Sequence, residues 1–249
     1  MTRRRWIADE VIGNTAALVG DHAAHLARVL RAEIGQEFDV ATRVEGRAEV
    51  RRGTITSISE NRVEFALGKS KECGNEKERA LVPAPKITLA LAIFKFDRME
   101  WAIEKCTELG VSRIVPVISR RTDSHLAAAS AKRVERWQRI ARQASEQSRR
   151  TTPPEILPPI RFADALTGAA ALRIVLAESE ERTLLRDVLK SNASASAIIL
   201  AVGPEGGWTE DELQSFRQAG WISVSLGNTI LRAETAAIAA TAVVTSSLC

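Results

Sequence analysis

Arg232, Glu234 and Thr235 crowd into one turn between apolar neighbours near the end of a 249-residue chain. A cation, a carboxylate and a hydroxyl in a mostly apolar stretch are costly to bury unless they pair or do chemistry. Such a trio could be a functional polar site. It could equally be a helix start capped by its own side chains, with Glu234 favourable at the positive helix end. A second candidate is the loop Gly203-Pro204-Glu205-Gly206-Gly207. Its glycines permit close backbone approach to a ligand and unusual backbone angles, although a tight turn is the simpler reading of that pentapeptide alone. Neither stretch is a Gly-x-Gly-x-x-Gly fingerprint or a Walker A loop, so a nicotinamide or nucleoside-triphosphate site is not indicated.

Other chemistries are poorly supplied. Cys73, Cys106 and Cys249 are odd in number, far apart and in no Cys-x-x-Cys pair, which argues against a disulfide framework and a structural zinc site. His22, His25 and His125 form no metal-ligand constellation. There is no Gly-x-Ser-x-Gly elbow and no histidine close to Arg232 in sequence, so nothing looks like a nucleophile–base pair. The basic start from Met1 to Trp6 has no apolar run behind it, unlike a secretory signal. No stretch approaches the roughly 20 apolar residues of a membrane span. A reducing cytoplasm is the expected setting.

The net charge is +4, and its distribution says more than its total. Between Arg120 and Arg150 nine Lys/Arg oppose three Asp/Glu, an excess of +6, leaving −2 for the rest of the chain. Clustered positive charge suits a phosphate backbone through Coulomb attraction and counterion release. A solvated helix face would read the same way.

Two kinds of element must position these residues. In residues 1–70, His22 to Arg31 reads as a short helix with Leu26, Val29 and Leu30 on one side. Alternating segments follow at Glu37 to Ala41, Ala48 to Arg52 and Arg62 to Leu67, the last with Val63, Phe65 and Leu67 facing one way. Short alternating strands with glycine punctuation suggest a small β-barrel. Residues 71–85 are polar, broken by Pro83 and Pro85, and read as a linker. Residues 86–249 then alternate strands and helices, an α/β domain with a parallel sheet. Ile87 to Ile93 is a continuous apolar run, as in a strand buried on both faces. Asp97 and Glu100 are spaced as a capping box for a helix carrying Met99, Ala102, Ile103, Cys106 and Leu109 inward and stopped by Gly110. Ile114 to Ile118 is a strand, and Lys132 to Ser148 a helix on which Arg133, Arg136, Arg139 and Arg142 recur every three residues. Strands at Arg173 to Ala177, Ile198 to Val202 and Trp221 to Leu226 precede a nearly uncharged last helix, Ala233 to about Ser247, of the kind usually buried. Both candidate loops leave the carboxyl ends of strands, where open α/β sheets bind ligands.

Read together, Gly203-Pro204-Glu205-Gly206-Gly207 and Ser225-Leu226-Gly227-Asn228-Thr229-Ile230-Leu231-Arg232-Ala233-Glu234-Thr235-Ala236 resemble the signature of the RsmE family. These are SPOUT-class enzymes that methylate N3 of a uridine in small-subunit ribosomal RNA. His25-Leu26-Ala27-Arg28-Val29-Leu30-Arg31 resembles the family's N-terminal helix. Lys95, Asp97 to Trp101 and Lys105 to Gly110 resemble its first α/β unit, and Arg136-Trp137 with Glu146-Gln147-Ser148 and Arg150 its basic helix and following loop. Five ordered matches from His25 to Ala236 make the resemblance specific. The chain departs from the family pattern at Phe96, Arg120, Gln143, Arg149 and Thr229, which bears on RNA contacts more than on the donor pocket.

The resemblance implies a PUA-like barrel, a C-terminal domain with a deep trefoil knot, and a homodimer packed through the knotted domains. It implies S-adenosylmethionine as methyl donor, held by Leu176, Ala177, Glu178, Val202, Gly203, Pro204, Glu205, Gly206, Gly207, Leu226, Gly227, Ile230, Leu231 and Ala233. Ribosomal RNA or the small subunit would be gripped by Arg3, Arg4, Arg5, His25, Arg28, Arg31, Lys95, Arg120, Arg121, Arg149 and Arg150, with no metal required. A uridine N3 is a poor nucleophile until its proton leaves, and a cation near the base oxygens stabilises the anion. Arg232 is assigned that role, with Glu234 and Thr235 orienting it or relaying the proton. Two rivals remain at this point: a SPOUT enzyme acting on ribose hydroxyls, and a catalytically silent RNA-binding protein.

Overall fold

A computed structural model describes residues 4–44, 47–70 and 85–248. Arg3, Cys73, Cys249 and all of the expected linker except Pro85 lie outside the described residues. The chain divides into two compact units, Met1–Val82 with Ser145–Thr152, and Pro83–Ala144 with Pro153–Cys249.

The N-terminal unit contains β1 (Arg5–Ile7), β2 (Glu10–Ile12), β3 (Thr15–Val19), the short helix α1 (Asp21–Ala24) running into a π-helical turn (His25–Val29), β4 (Glu37–Val44), β5 (Arg47–Ile58) and β6 (Arg62–Ser70). The six strands form one curled sheet in the order β1-β4-β5-β6-β3-β2, antiparallel except where β1 pairs with β4. The expected inward face of Val63, Phe65 and Leu67 is buried, and Trp6, Leu18, Leu26, Val40 and Ile55 complete its core. The helix at 22–31 is a correction. Its bonding widens, with Leu30 N donating to His25 O, and only Leu26 of the expected stripe is buried, while Val29 and Leu30 are exposed. A wider turn rotates each later side chain off the face that a 3.6-residue period predicts.

The C-terminal unit runs β7 (Lys86–Ala92), α2 (Phe96–Glu108), β8 (Arg113–Ile118), α3 (Ser124–Ser130) and α4 (Val134–Gln147). It continues with β9 (Glu155–Ile156), β10 (Ile160–Arg161), α5 (Phe162–Ala165), β11 (Leu172–Leu176), α6 (Leu185–Ser191), β12 (Ala197–Val202), α7 (Glu210–Gln218), β13 (Ile222–Val224) and α8 (Ala233–Leu248). Every pairing in its sheet is parallel, in the order β10-β8-β7-β12-β11-β13, with β9 also on β8. The continuous apolar runs divide by twos between the sheet's faces. Leu89, Leu91, Ile198, Leu200 and Val202 join one core with α2, α4 and α8. Ala90, Ala92, Ile199 and Ala201 join the other with Trp208, Phe216 and Trp221.

Helix α2 starts two residues earlier than the capping box at Asp97 predicts. Lys95 occupies its cap position without a side-chain bond, and Phe96 enters the helix to meet Trp137 edge-on. Glu100, freed from capping, accepts a two-pronged pair from Arg136 at 2.7 and 2.8 Å. Gly110, at φ 104°, ends the helix where a left-handed residue is needed. Among the described residues no helix is long and apolar enough to cross a membrane, and no cluster of His, Cys, Asp and Glu could hold a metal ion.

Candidate active site

Strands β12, β11 and β13 are neighbours in the sheet, so the loops leaving their carboxyl ends converge. After β11, Ala177 N donates to Val224 O, and the loop then runs back to β13. There Leu184 bridges Ser225, with Ser225 N donating to Thr183 O and Leu185 N to Ser225 O. After β12, Gly207 N closes a turn onto Pro204 O at 2.9 Å, and Gly207 adopts φ 68°. Gly203 cannot carry a side chain without cost, because a Cβ there would lie 3.2 Å from Trp208 Nε1 and 3.4 Å from the Gly207 carbonyl carbon. Thr209 and Glu212 form a complete capping box that starts α7, and Arg120 N donates to the same glutamate at 2.8 Å. After β13, Gly227 takes φ 137° and its N–H donates to Ser225 Oγ.

These three loops enclose a pocket of about 850 Å³. Of the expected donor-binding residues, Leu176, Ala177, Glu178, Val202, Gly203, Pro204, Gly206, Gly207, Leu226, Gly227, Ile230, Leu231 and Ala233 line it. Glu205 does not; its carboxylate turns outward to accept from Arg98 Nη1 at 2.6 Å. Arg232, Glu234 and Thr235 are not in the wall either, which their neighbours Leu231, Ala233 and Ala236 supply. Arg232 and Thr235 are exposed, while Glu234 is buried with its Oε2 lacking a hydrogen-bond partner. Arg232 contributes its carbonyl to the first bond of α8, accepted from Ala236 N, and leaves its side chain to solvent.

The pocket rim is acidic, with Glu178, Glu180, Glu181 and Glu210 against the single cation Arg121 among its lining residues. Backbone N–H groups of Thr183 and Arg182 donate to Glu180 at 2.9 Å each, and they hold its carboxyl below the usual carboxylate range. A rim of net negative charge favours a cationic ligand, although Glu210 is itself paired with Arg217. Glu178 is expected from the family resemblance, whereas Glu180 and Glu181 are not, although they too follow a strand's carboxyl end as the two glycine loops do. Arg121, expected on the RNA side, donates to Gly206 O and sits in the pocket wall.

The remaining residues expected to grip RNA fall into separate groups. In the N-terminal unit, Arg4 Nη1 lies 3.0 Å from His25 Nε2, and Arg5 donates to Arg149 O. Arg149 in turn reaches Asp39 at 3.2 Å, and Arg28 makes an exposed pair with Glu60. Arg31 is exposed, in the left-handed region at φ 51°. Arg150 is half-buried, and desolvation lowers its pKa. In the C-terminal unit, Lys95 is exposed and Arg120 pairs with exposed Asp211 at 3.1 Å.

Comparison with known proteins gives concordant matches. Residues 82–245 match the family model described as an RNA methyltransferase domain. The chain is similar to ribosomal RNA small subunit methyltransferase E of Synechocystis sp., 33% identical over 96% of this chain and 76% of the relative. It is also similar to the enzyme of that name from Rickettsia conorii, 35% identical over 90% of this chain and 87% of the relative. Among solved structures, a ribosomal RNA small subunit methyltransferase E from Neisseria gonorrhoeae bound to S-adenosyl methionine superposes with a TM-score of 0.80. It is 33% identical, with 96% of this chain and 95% of that one covered.

Proposed function

The chain belongs to the ribosomal RNA small subunit methyltransferase E family, and from that membership we propose that it methylates N3 of a uridine in small-subunit ribosomal RNA. The observation that carries this reading is the pocket built by the loops after β11, β12 and β13. S-adenosylmethionine, when bound there, supplies an electrophilic methyl group on a sulfonium. The residues present fit such a donor: glycine backbone for close approach, apolar Leu176, Leu226 and Leu231 for an adenosyl group, and acidic Glu178 and Glu180 for cationic charge.

The protein's part in catalysis is positioning and electrostatics, since an in-line displacement gains most from aligned reactants. Arg232, exposed at the head of α8, stabilises the uridine anion formed as N3 loses its proton. Glu234 orients that arginine or takes the proton, with Thr235 beside it. The target base leaves its stack to reach the pocket. The N-terminal sheet, read as a PUA-like barrel spanning residues 1–70, grips the RNA together with the basic residues around it. Residues 86–249 form the methyltransferase domain. Its knot is suggested by α8, which follows the edge strand β13 yet packs on α2 and α6, so that the chain returns across the ends of neighbouring strands. The half-buried apolar face of α8, including Ala236, Ile238, Ala239, Ala242 and Val243, suits a second copy of the chain, and a ribosomal substrate places the enzyme in the cytoplasm.

Hydrolysing the RNA product and identifying the modified nucleoside tests this reading. N3-methyluridine is expected; a 2′-O-methylated nucleoside, or no modification by protein that binds RNA, would contradict it.

A further inference from the structure

Arg98 lies outside the pocket wall, yet it contacts the acidic residue of each signature loop. Its Nη1 donates to Glu205 Oε1 at 2.6 Å, and its Nε lies 3.9 Å from Glu234 Oε1. Arg98 stands in the first turn of α2, Glu205 in the glycine loop after β12 and Glu234 in the first turn of α8, so one guanidinium spans three elements far apart in sequence. The contacts differ in kind. Glu205 is more than a third exposed, whereas Glu234 is buried and its other oxygen has no hydrogen-bond partner. A buried carboxylate requires a compensating charge, and Arg98 is the cation placed beside it.

We propose that Arg98 is a positioning residue that sets the glycine loop and the Arg232–Thr235 turn at a fixed spacing, and so aligns the methyl donor with the target base. This rests on the donor-pocket reading above. Arginine suits the task because its planar fork offers separate nitrogens to two acceptors, whereas a lysine ammonium is a point charge on a flexible stem. Neither signature loop shows this role in its own sequence, because the tie comes from a helix more than 100 residues upstream of Glu205.

The test compares the full-length wild type with Arg98→Ala, Arg98→Lys and Glu205→Gln. Donor affinity is measured by calorimetry with S-adenosylmethionine, kcat on ribosomal RNA at saturating donor, and melting temperature alongside. For Arg98→Ala we expect donor affinity to fall about tenfold and kcat about a hundredfold, the scale of a misaligned reacting pair. Arg98→Lys, able to reach Glu205 alone, should recover donor affinity but not kcat. Glu205→Gln, which weakens one end of the tie, should lower both donor affinity and kcat with little change in melting. Near-wild-type constants for Arg98→Ala would overturn the proposal, as would recovery of both constants by Arg98→Lys. Should Arg98→Ala fail to fold, Glu205→Gln decides, and unchanged donor affinity there overturns the tie. A wild type that neither binds donor nor methylates RNA would instead sink the underlying functional reading.

Discussion

Glu146 and Glu234 are buried carboxylates in different units, and their surroundings contrast. In the N-terminal unit, Glu146 Oε1 accepts from Ile7 N at 3.1 Å and contacts His22 Nε2 at 2.6 Å, while Arg4 Nε approaches Oε2 at 3.6 Å. His22 turns its other ring nitrogen to Asp9, whose carboxylate also accepts from Val19 N. That network fastens the 145–152 segment to β1 and α1 within one unit. One oxygen of each carboxylate lacks a hydrogen-bond partner, but where Glu146 Oε1 has two partners, Glu234 Oε1 in the C-terminal unit has only the 3.9 Å approach of Arg98. The Glu234 neighbours Ala233 and Ala236 line the pocket that the glycine loops and the acidic rim complete. Polar groups consumed by one another stabilise a fold, whereas polar groups held ready, at a cost in stability, are what a reaction can use.

The sharpest way to break this contrast is a pair of substitutions. Glu146→Ala leaves the Ile7 N–H and His22 without their acceptor, and should cost about 3–5 kcal/mol in a urea melt while leaving donor affinity unchanged. Arg232→Ala should do the reverse. Turnover should fall by about a hundredfold to a thousandfold, the scale of losing one anion-stabilising donor, with stability within about 0.5 kcal/mol of wild type. If Glu146→Ala abolished donor binding, or Arg232→Ala kept normal turnover, the division of labour would fail.

Gly203→Val should show both effects in smaller measure. Its side chain meets Trp208 Nε1, so overpacking should cost about 1–3 kcal/mol, and calorimetry should register weaker donor binding.

The smallest expected effect concerns pH. Backbone N–H bonds depress the Glu180 pKa in the folded state, so its stabilising contribution is present above the ordinary carboxylate pKa and is lost as pH falls through the folded value. The melting temperatures of wild type and Glu180→Ala should therefore differ by a constant amount near neutrality and converge in acid. Divergence in acid would show the sign to be wrong.

The elements that depend on local pattern were legible in the sequence. Val63, Phe65 and Leu67 face the core as their alternation requires, the apolar runs are buried parallel strands, and Thr209 with Glu212 caps α7. Both glycine-bearing loops lie where the carboxyl-end rule puts them. Features that depend on distant partners escaped. β1, β2 and β3 are three to five residues long, too short for a periodic signal, and β1 exists because Arg5 to Ile7 pairs with Asp39 to Ala41. The inclusion of Ser145–Thr152 in the N-terminal unit follows from Glu146 finding His22 and Ile7, more than 120 residues away. The early start of α2 comes from Phe96 packing on Trp137, and Arg98 acquires its role only once α2, the glycine loop and α8 meet.

A titration of the purified chain with S-adenosylmethionine, repeated on Gly203→Val, tests the central claim most directly. Saturable binding by the wild type that weakens in the variant is the predicted result. Absence of binding in the folded wild type, or binding indifferent to the substitution, would contradict the account.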